Sequence, residues 1–198
     1  MGRIGTTLRL SSLVLLFFLS LCGGSQAGIS YEVVDAINTS ASVDSGPWAA
    51  GNSHGFEYTP TTSYTFVRIE TMFGQTRTFP VTVAVYDGRN GLLLASASTV
   101  PSSTYTWISF DLDAPASFSA SQTYFIAIQP PSISDSLPGT IVGGDTVLPW
   151  WYAGPGTLDF SNAFGTQSPG FRFLGIETPI FQSGFEDGTT GDWTVTVP

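Results

Sequence analysis

Apolar and polar residues alternate along several short stretches of the chain, most regularly near its middle. Residues 79–86 read FPVTVAVY, with an apolar side chain at every second position from Phe79 to Val85. This two-residue period is that of a β-strand with one buried face. Residues 87–91, DGRNG, favour a hairpin loop, and residues 92–98 are predicted to form the returning strand. Because an isolated hairpin is only marginally stable in water, the rest of the chain must supply a second sheet that covers it.

Similar strand-like segments recur on both sides of this hairpin. The further segments predicted as strands are 29–36, 56–58, 64–73, 104–112, 122–129, 139–142, 149–153 and 171–176. The apolar face changes at Phe66 and Val67, which predicts a β-bulge there. Residues 38–53 and 154–170 are rich in glycine and small polar residues and are predicted to be loops, and Pro115 marks a linker.

Strand-sized segments separated by turn residues, with no helical period after residue 28, predict an all-β fold. We expect an antiparallel β-sandwich, and a β-barrel is the alternative that the pattern leaves open. The chain from Gly28 onward has about 171 residues, which suits one domain with a substantial core. We therefore divide it into a β-sandwich domain over residues 28–178 and a C-terminal segment over residues 179–198.

The first 27 residues have the three parts of a secretory signal peptide. Arg3 and Arg9 form a positively charged start, residues 13–21 form a short apolar core, and residues 25–27 resemble a cleavage site. The apolar run is too short to span a membrane, which takes about 20 residues. We therefore expect a protein without a membrane span after cleavage, located outside the cell or at its surface, with the periplasm as a further compartment.

The composition of the chain after cleavage of the signal peptide excludes several kinds of site and partner. Cys22 is the only cysteine, and it leaves with the signal peptide or, as an alternative, carries the lipid of a lipoprotein. Once it is removed, no disulfide, thiolate nucleophile or cysteine metal site is available. Four arginines, no lysine and fifteen acidic residues remain, for a net charge of −11. Such a surface repels phosphate backbones and anionic lipids, so we expect no nucleic-acid partner.

The order of the predicted segments resembles the jelly-roll modules of secreted bacterial proteins, and among them the choice-of-anchor family and related carbohydrate-binding-like domains. The resemblance lies within residues 56–176 and is carried by residues 81–91, 94–98, 107–112, 123–128 and 171–175. These positions mostly determine a fold. The resemblance therefore implies a jelly-roll sandwich and supplies no catalytic residues.

Residues 180–198 are similar to a short motif, IF-x-x-GFESG followed by W and TVP, found at the very end of many secreted bacterial proteins. The matching positions are Gly184, Phe185, Glu186, Gly188 and Trp193. Asp187 stands where the motif usually has serine. The resemblance implies an exported bacterial protein, and it leaves open whether the segment sorts the protein or adds an edge strand to the sandwich.

Residues 51–55, GNSHG, match the G-x-S-x-G pattern of serine hydrolases. In that motif a strand–turn–helix exposes the serine, and a distant histidine acts as its base. Here no helical pattern follows, and His54, the only histidine of the chain, is adjacent to the serine. We interpret the match as a coincidence within a loop.

The acidic residues offer no evident catalytic pair. A glycosidase needs two carboxylates about 5–10 Å apart across a cleft. Asp111 and Asp113 share one predicted strand face, and Asp87, Asp135 and Asp145 lie in predicted turns, which aspartate favours. One histidine without cysteine does not complete a zinc site. Loop carboxylates leave a structural calcium ion open, with no ligands assigned.

Trp150, Trp151 and Tyr152 form the one predicted ligand-binding set. Adjacent strand residues face opposite ways, so one tryptophan is predicted to lie in the core and the other to face outward. The outward indole either stacks on a sugar ring or is covered by residues 154–170.

These observations favour a non-catalytic module, secreted or surface-associated, that serves adhesion, structure or interaction. A carbohydrate-binding module that uses an exposed tryptophan is the alternative, with a polysaccharide or a cell-surface component as its partner. A hydrolase is the second alternative, and it needs a carboxylate pair or a serine with a base, neither of which the sequence places.

Overall fold

The computed structural model describes residues 30–40, 43–44 and 46–176, and none of them forms a helix long and apolar enough to cross a membrane. The predicted signal peptide and the C-terminal segment 179–198 lie outside the described residues. The strands, in chain order, are β1 (Tyr31–Ile37), β2 (Val43–Asp44), β3 (Ser53–Tyr58), β4 (Tyr64–Met72), β5 (Val81–Tyr86), β6 (Leu93–Thr99), β7 (Trp107–Phe118), β8 (Tyr124–Gln129), β9 (Ile141–Val142), β10 (Leu148–Ala153), β11 (Asn162–Gln167) and β12 (Phe171–Ile176).

Two antiparallel sheets, of four and six strands, pack against each other. The smaller sheet has the order β1-β12-β4-β7, and the larger has the order β11-β10-β3-β8-β5-β6. Without β10 and β11, this is the strand order of an eight-stranded jelly roll, with β1-β12-β4-β7 facing β3-β8-β5-β6. Strands β10 and β11 widen the larger sheet beyond β3, and β2 pairs with β9 in a separate ribbon. The predicted single-domain β-sandwich is confirmed, and the barrel alternative is wrong.

Aromatic and branched side chains from the inner faces of both sheets fill the space between them. The fully buried members include Phe56, Ile126 and Ile128 from the larger sheet and Phe66, Phe110, Phe118, Phe171 and Phe173 from the smaller. Phe66 and Phe118 meet edge to face, with 4.8 Å between ring centroids. Burial of one such side chain stabilises the fold by about 1.5–3 kcal/mol. The predicted alternation therefore determines which row of side chains enters the core.

The central hairpin forms strands β5 and β6 at one edge of the larger sheet. Val81, Val83 and Val85 face inward and are fully buried, as predicted. Asp87 closes the loop, because its backbone N–H donates to Leu92 O at 3.0 Å and its Oδ1 accepts from Leu92 N at 2.6 Å. This carboxylate is therefore part of the turn.

The pairing of β4 with β7 confirms the predicted bulge and corrects one prediction about β7. The register between them shifts at Phe66 and Val67, where the bulge was expected, and residues 112–115 of β7 have no partner on β4. The prediction of a linker at Pro115 is wrong, because β7 continues through this residue. Since β7 is an edge strand, the missing N–H of proline removes no bond from the sheet.

Two predicted loops also contain strands. Residues 38–53 include the short strand β2 and the first residue of β3, and residues 154–170 include β11. Strand β11 pairs with β10 only, and nearly all of its residues are exposed. It therefore lacks the apolar face that reveals a strand in a sequence.

Candidate functional site

The GNSHG segment lies partly in a central strand. Ser53 and His54 are buried residues of β3, which pairs with β8 on one side and β10 on the other, so the prediction of a loop is wrong here. A nucleophile elbow needs a sharp strand-to-helix turn that exposes its serine. Successive residues of an extended strand face opposite ways. His54 therefore points to the opposite side of the sheet from Ser53 and is not placed to act as its base.

His54 lies between two indoles in the interior. Its ring stacks on Trp48 with 3.9 Å between centroids and on Trp150 with 5.3 Å, and Trp150 Nε1 donates a hydrogen bond to His54 Nδ1 at 2.9 Å. Burial lowers the pKa of His54 to about 3. The bond accepted at Nδ1 needs a lone pair there and places the ring proton on Nε2. The histidine is therefore an uncharged core residue at neutral pH.

Trp48 reaches this cluster from the segment between β2 and β3. Two backbone hydrogen bonds hold that segment, from Trp48 N to Leu137 O at 3.2 Å and from Gly51 N to Asp135 O at 2.9 Å. Trp48 Nε1 and His54 Nε2 are both buried without a hydrogen-bond partner among the described residues. Because unpaired buried donors cost stability, the cluster depends on good packing around them.

The three predicted ligand-binding residues of β10 have different surroundings. Trp150 faces the interior and is only 8 % exposed. Trp151 faces the outside of the larger sheet, where the Arg89 guanidinium lies 3.5 Å from the ring centroid. Tyr152 is half-buried beside Phe164, whose side chain is 62 % exposed and whose ring centroid is 5.7 Å away. The opposite orientation of the two tryptophans is confirmed, and ligand binding by this set stays a prediction.

A second, smaller hydrophobic cluster covers the outer face of the larger sheet. Its members are Phe125, Ala127, Ala153 and Phe160, with Tyr86 and Trp151 packed against them. Phe160 comes from residues 154–161, which we call the strap, and its ring centroid lies 4.7 Å from that of Phe125. Gly55 makes room below, because a Cβ at this position would lie 2.1 Å from the Phe125 ring. The strap thus covers the cluster to which the outward tryptophan belongs.

The tip of the central hairpin holds the strap in place. Arg89 Nη1 donates to Phe160 O at 3.3 Å, and Arg89 Nε lies 3.4 Å from Glu57 Oε1. Asn90 uses both ends of its amide, because Nδ2 donates to Asp159 Oδ1 at 3.2 Å and Oδ1 accepts from Phe160 N at 2.9 Å. The hairpin loop therefore binds the strap as well as reversing the chain, a role that no local sequence signal indicates.

A groove of about 440 Å³ lies between the hairpin tip and the strap. Its walls are formed by Tyr86, Asn90, Gly91, Leu158, Asp159 and Phe160. The volume lies within the range of small-ligand sites, and the walls combine apolar side chains with a few polar groups, as such sites do.

The acidic residues considered for catalysis or calcium binding have separate partners. Asp111 pairs with Arg68 in the smaller sheet at 2.5 Å. Asp113 accepts from Ser96 N in the larger sheet at 2.9 Å, and this bond lowers the pKa of its carboxyl. Although both residues lie on β7, the two carboxylates are thus bound to different sheets and do not form a pair. Among the described residues, no three His, Cys, Asp or Glu side chains form a group that could hold a metal ion.

All four arginines of the described part of the chain are engaged. Arg68 and Arg172 lie over aromatic rings, 3.9 and 4.0 Å from the centroids, and Arg77 donates to backbone carbonyls. Arg89 binds the strap, a carboxylate and an indole. The surface described here therefore offers no unpaired guanidinium to an anionic ligand.

No protein-family model matches this chain, and no curated protein matches it at a significant level. Its function must therefore be inferred from the residues and contacts described above.

Proposed function

We propose that this chain is a non-catalytic β-sandwich module, secreted or held at the cell surface, that acts by binding or structural association. The placement of His54 carries this proposal, because the only histidine of the chain is a neutral core residue between Trp48 and Trp150. A serine hydrolase with a histidine base would need that residue beside its serine. Asp111 and Asp113, the closest carboxylates in sequence within the sandwich, are bound to different sheets.

Secretion is the second part of the proposal. It is supported by the charged start and apolar run within residues 1–27, by the acidic composition that follows, and by the resemblance of residues 180–198 to a terminal motif of exported bacterial proteins. We expect cleavage before Gly28. Acylation of Cys22 is the alternative route to the cell surface.

Carbohydrate binding is a second candidate function, favoured by two aromatic surfaces that the fold leaves accessible. One is Tyr152 with the exposed Phe164 at the free edge of the larger sheet. The other is the groove beside Tyr86. Flat apolar rings near hydrogen-bonding groups suit sugar rings, and a polysaccharide or a glycosylated surface component would be the partner.

The test of secretion uses the full chain expressed in a bacterial host. Mass spectrometry of the exported product should give an N-terminus at Gly28, and a variant with Leu15→Arg and Leu16→Arg should stay inside the cell. Export of that variant at the wild-type level would contradict the signal-peptide assignment.

The test of the non-catalytic assignment uses the same exported protein. It should show no turnover of ester, peptide or glycoside substrates, whereas co-sedimentation with insoluble polysaccharides measures binding. Turnover that disappears in Ser53→Ala or Asp111→Asn, with the circular dichroism spectrum unchanged, would overturn the assignment.

A further inference from the structure

The groove between the hairpin tip and the strap is held in place by contacts within the protein. Its two sides come from residues 86–91 and 158–160, which Arg89 and Asn90 join through three hydrogen bonds. The walls are therefore positioned before any ligand arrives. Such preorganisation reduces the entropy that binding must overcome.

Part of the groove surface is apolar. The Tyr86 ring is held by packing on the outer cluster and by the hydrogen bond that Gln129 Nε2 donates to its hydroxyl at 2.9 Å. Leu158, on the strap, lines the groove and is 52 % exposed. Apolar side chains that line a concave site and remain accessible are typical of a surface that contacts a ligand.

The polar groups of the groove suit hydroxyl groups. Asp159 Oδ1 accepts from Asn90 Nδ2, which leaves Asp159 Oδ2 and the second hydrogen of Asn90 Nδ2 for a ligand. The Tyr86 hydroxyl accepts from Gln129, so its own hydrogen is available to a ligand acceptor. A carboxylate hydrogen-bonded to a carboxamide presents an acceptor and a donor side by side, as neighbouring hydroxyls of one ring require.

The charges around the groove disfavour an anionic ligand. Asp159 lines the groove, and Glu57 lies close to the hairpin tip through its pair with Arg89. Arg89 itself is already shared among Glu57, the Phe160 carbonyl and the Trp151 ring. One carboxylate in the walls supplies too few oxygen ligands for a calcium ion. A neutral ligand with several hydroxyl groups satisfies these conditions.

We propose that this groove binds one neutral sugar ring, with its apolar face against Tyr86 and Leu158 and its hydroxyls bonded to Asp159 and Asn90. A volume of about 440 Å³ suits a single ring or the end of a chain. This assignment rests on the second candidate function given above, and the groove it uses is not lined by Trp150, Trp151 or Tyr152.

Isothermal titration calorimetry with the exported protein tests this site. The probes are neutral oligosaccharides of glucose, mannose, galactose and xylose, each with and without EDTA. At least one should bind saturably and independently of EDTA, and both Asp159→Asn and Leu158→Ser should weaken that binding at least tenfold. Asp159→Asn is nearly isosteric and retains an oxygen acceptor for Asn90, so it tests the ligand contact more than the strap.

Phe164→Ser, on the other accessible aromatic surface, is the matched control and should bind like the wild type, with thermal unfolding showing that each variant is folded. Binding that is lost in Phe164→Ser and kept in both groove variants would overturn the groove assignment and leave carbohydrate binding intact. If the folded protein bound none of the probes, both the groove assignment and carbohydrate binding as a function would be overturned. The proposal of a non-catalytic module would not be affected by that result. Loss of binding in EDTA would also overturn the metal-free site proposed here.

Discussion

Trp150 and Trp151 are neighbours in the sequence and occupy opposite surroundings. Trp150 lies in the main core, where its Nε1 donates to an uncharged histidine. Trp151 lies on the outer face, next to a guanidinium that also pairs with Glu57. Trp150 therefore faces a region without charged side chains among the described residues, whereas Trp151, the next residue of the strand, faces a region that contains a guanidinium and a carboxylate.

The difference follows from how much apolar surface covers each side of the larger sheet. Inside, His54 is buried in the main core between Trp48 and Trp150, so an imidazolium is disfavoured and the pKa of His54 falls to about 3. Outside, the short strap covers a small cluster and leaves Arg89 partly exposed, so the cation keeps some of its hydration. The inner layer is stabilised by deep burial, and the outer layer by shallow burial together with contacts from the hairpin tip.

Removing each tryptophan in turn should separate the two layers most strongly. We expect Trp150→Ala to lower the free energy of unfolding by about 3–5 kcal/mol, because it leaves a cavity and removes the hydrogen-bond partner of His54. Trp151→Ala should lower it by roughly 1–2 kcal/mol, since the indole is half-buried and its Nε1 has no partner to lose. Urea unfolding followed by circular dichroism measures both changes.

Trp150→Phe is the control for the inner position, because it keeps an aromatic ring while it removes the donor to His54 and only part of the buried volume. Its loss of stability should fall between those of the two alanine variants. Equal losses for Trp150→Ala and Trp151→Ala would contradict a deep inner layer and a shallow outer one.

Much of this arrangement could be predicted from alternation, since a strand with one face in the core shows a two-residue period. This holds for β5 and for the opposite orientations of Trp150 and Trp151. Strand β11 was missed because it pairs on one side only and has no apolar face. Residues 53–55 resemble a turn in composition, which is why they were not predicted to form a strand. The glycine at position 55 is required by packing, because the Phe125 ring occupies the space that a Cβ would need.

The groove could not be predicted from the sequence, and the reason is a different one. Its walls are joined by contacts such as that between Asn90 and Phe160, which are 70 residues apart. The DGRNG segment predicted a turn correctly, and nothing local to it indicates which loop its side chains bind. That information lies in the strand order, which places β10 next to β3, and in the strap that follows β10 and reaches the hairpin tip.

Acid should weaken the inner layer specifically, through His54. The pKa of this residue is about 3 in the fold and 6.5 in the unfolded chain, so between these values the unfolded chain binds one proton more. The stabilisation from the neutral histidine is full above pH 6.5 and is lost as the pH falls below it. We expect His54 to account for about 2 kcal/mol less free energy of unfolding at pH 5 than at pH 7, measured by urea unfolding.

His54→Gln is the control for this pH dependence, because it does not titrate and retains an acceptor for Trp150 Nε1. The carboxylates titrate alike in both proteins, so the wild-type advantage over the variant should shrink by the same amount between pH 7 and pH 5. A difference that stays constant over this range would contradict a buried neutral histidine.

The smallest effect should come from the cation of the outer layer. Arg89→Met keeps a long apolar side chain and removes the contact with the Trp151 ring, the pair with Glu57 and the bond to Phe160 O. Because Arg89 is partly exposed, we expect a loss of roughly 1 kcal/mol in the free energy of unfolding. Urea unfolding of the wild type and the variant in the same buffer measures it.

A double-mutant cycle then isolates the ring contact from the other two. Arg89→Met and Trp151→Leu should show a coupling energy of about 0.5–1 kcal/mol, as partly exposed cation–π pairs do. Arg89→Met and Trp150→Phe should be additive, because Trp150 lies on the other side of the strand. Equal coupling of Arg89 to both tryptophans would mean that β10 transmits strain between its faces, and the inner and outer layers would then have to be treated as one.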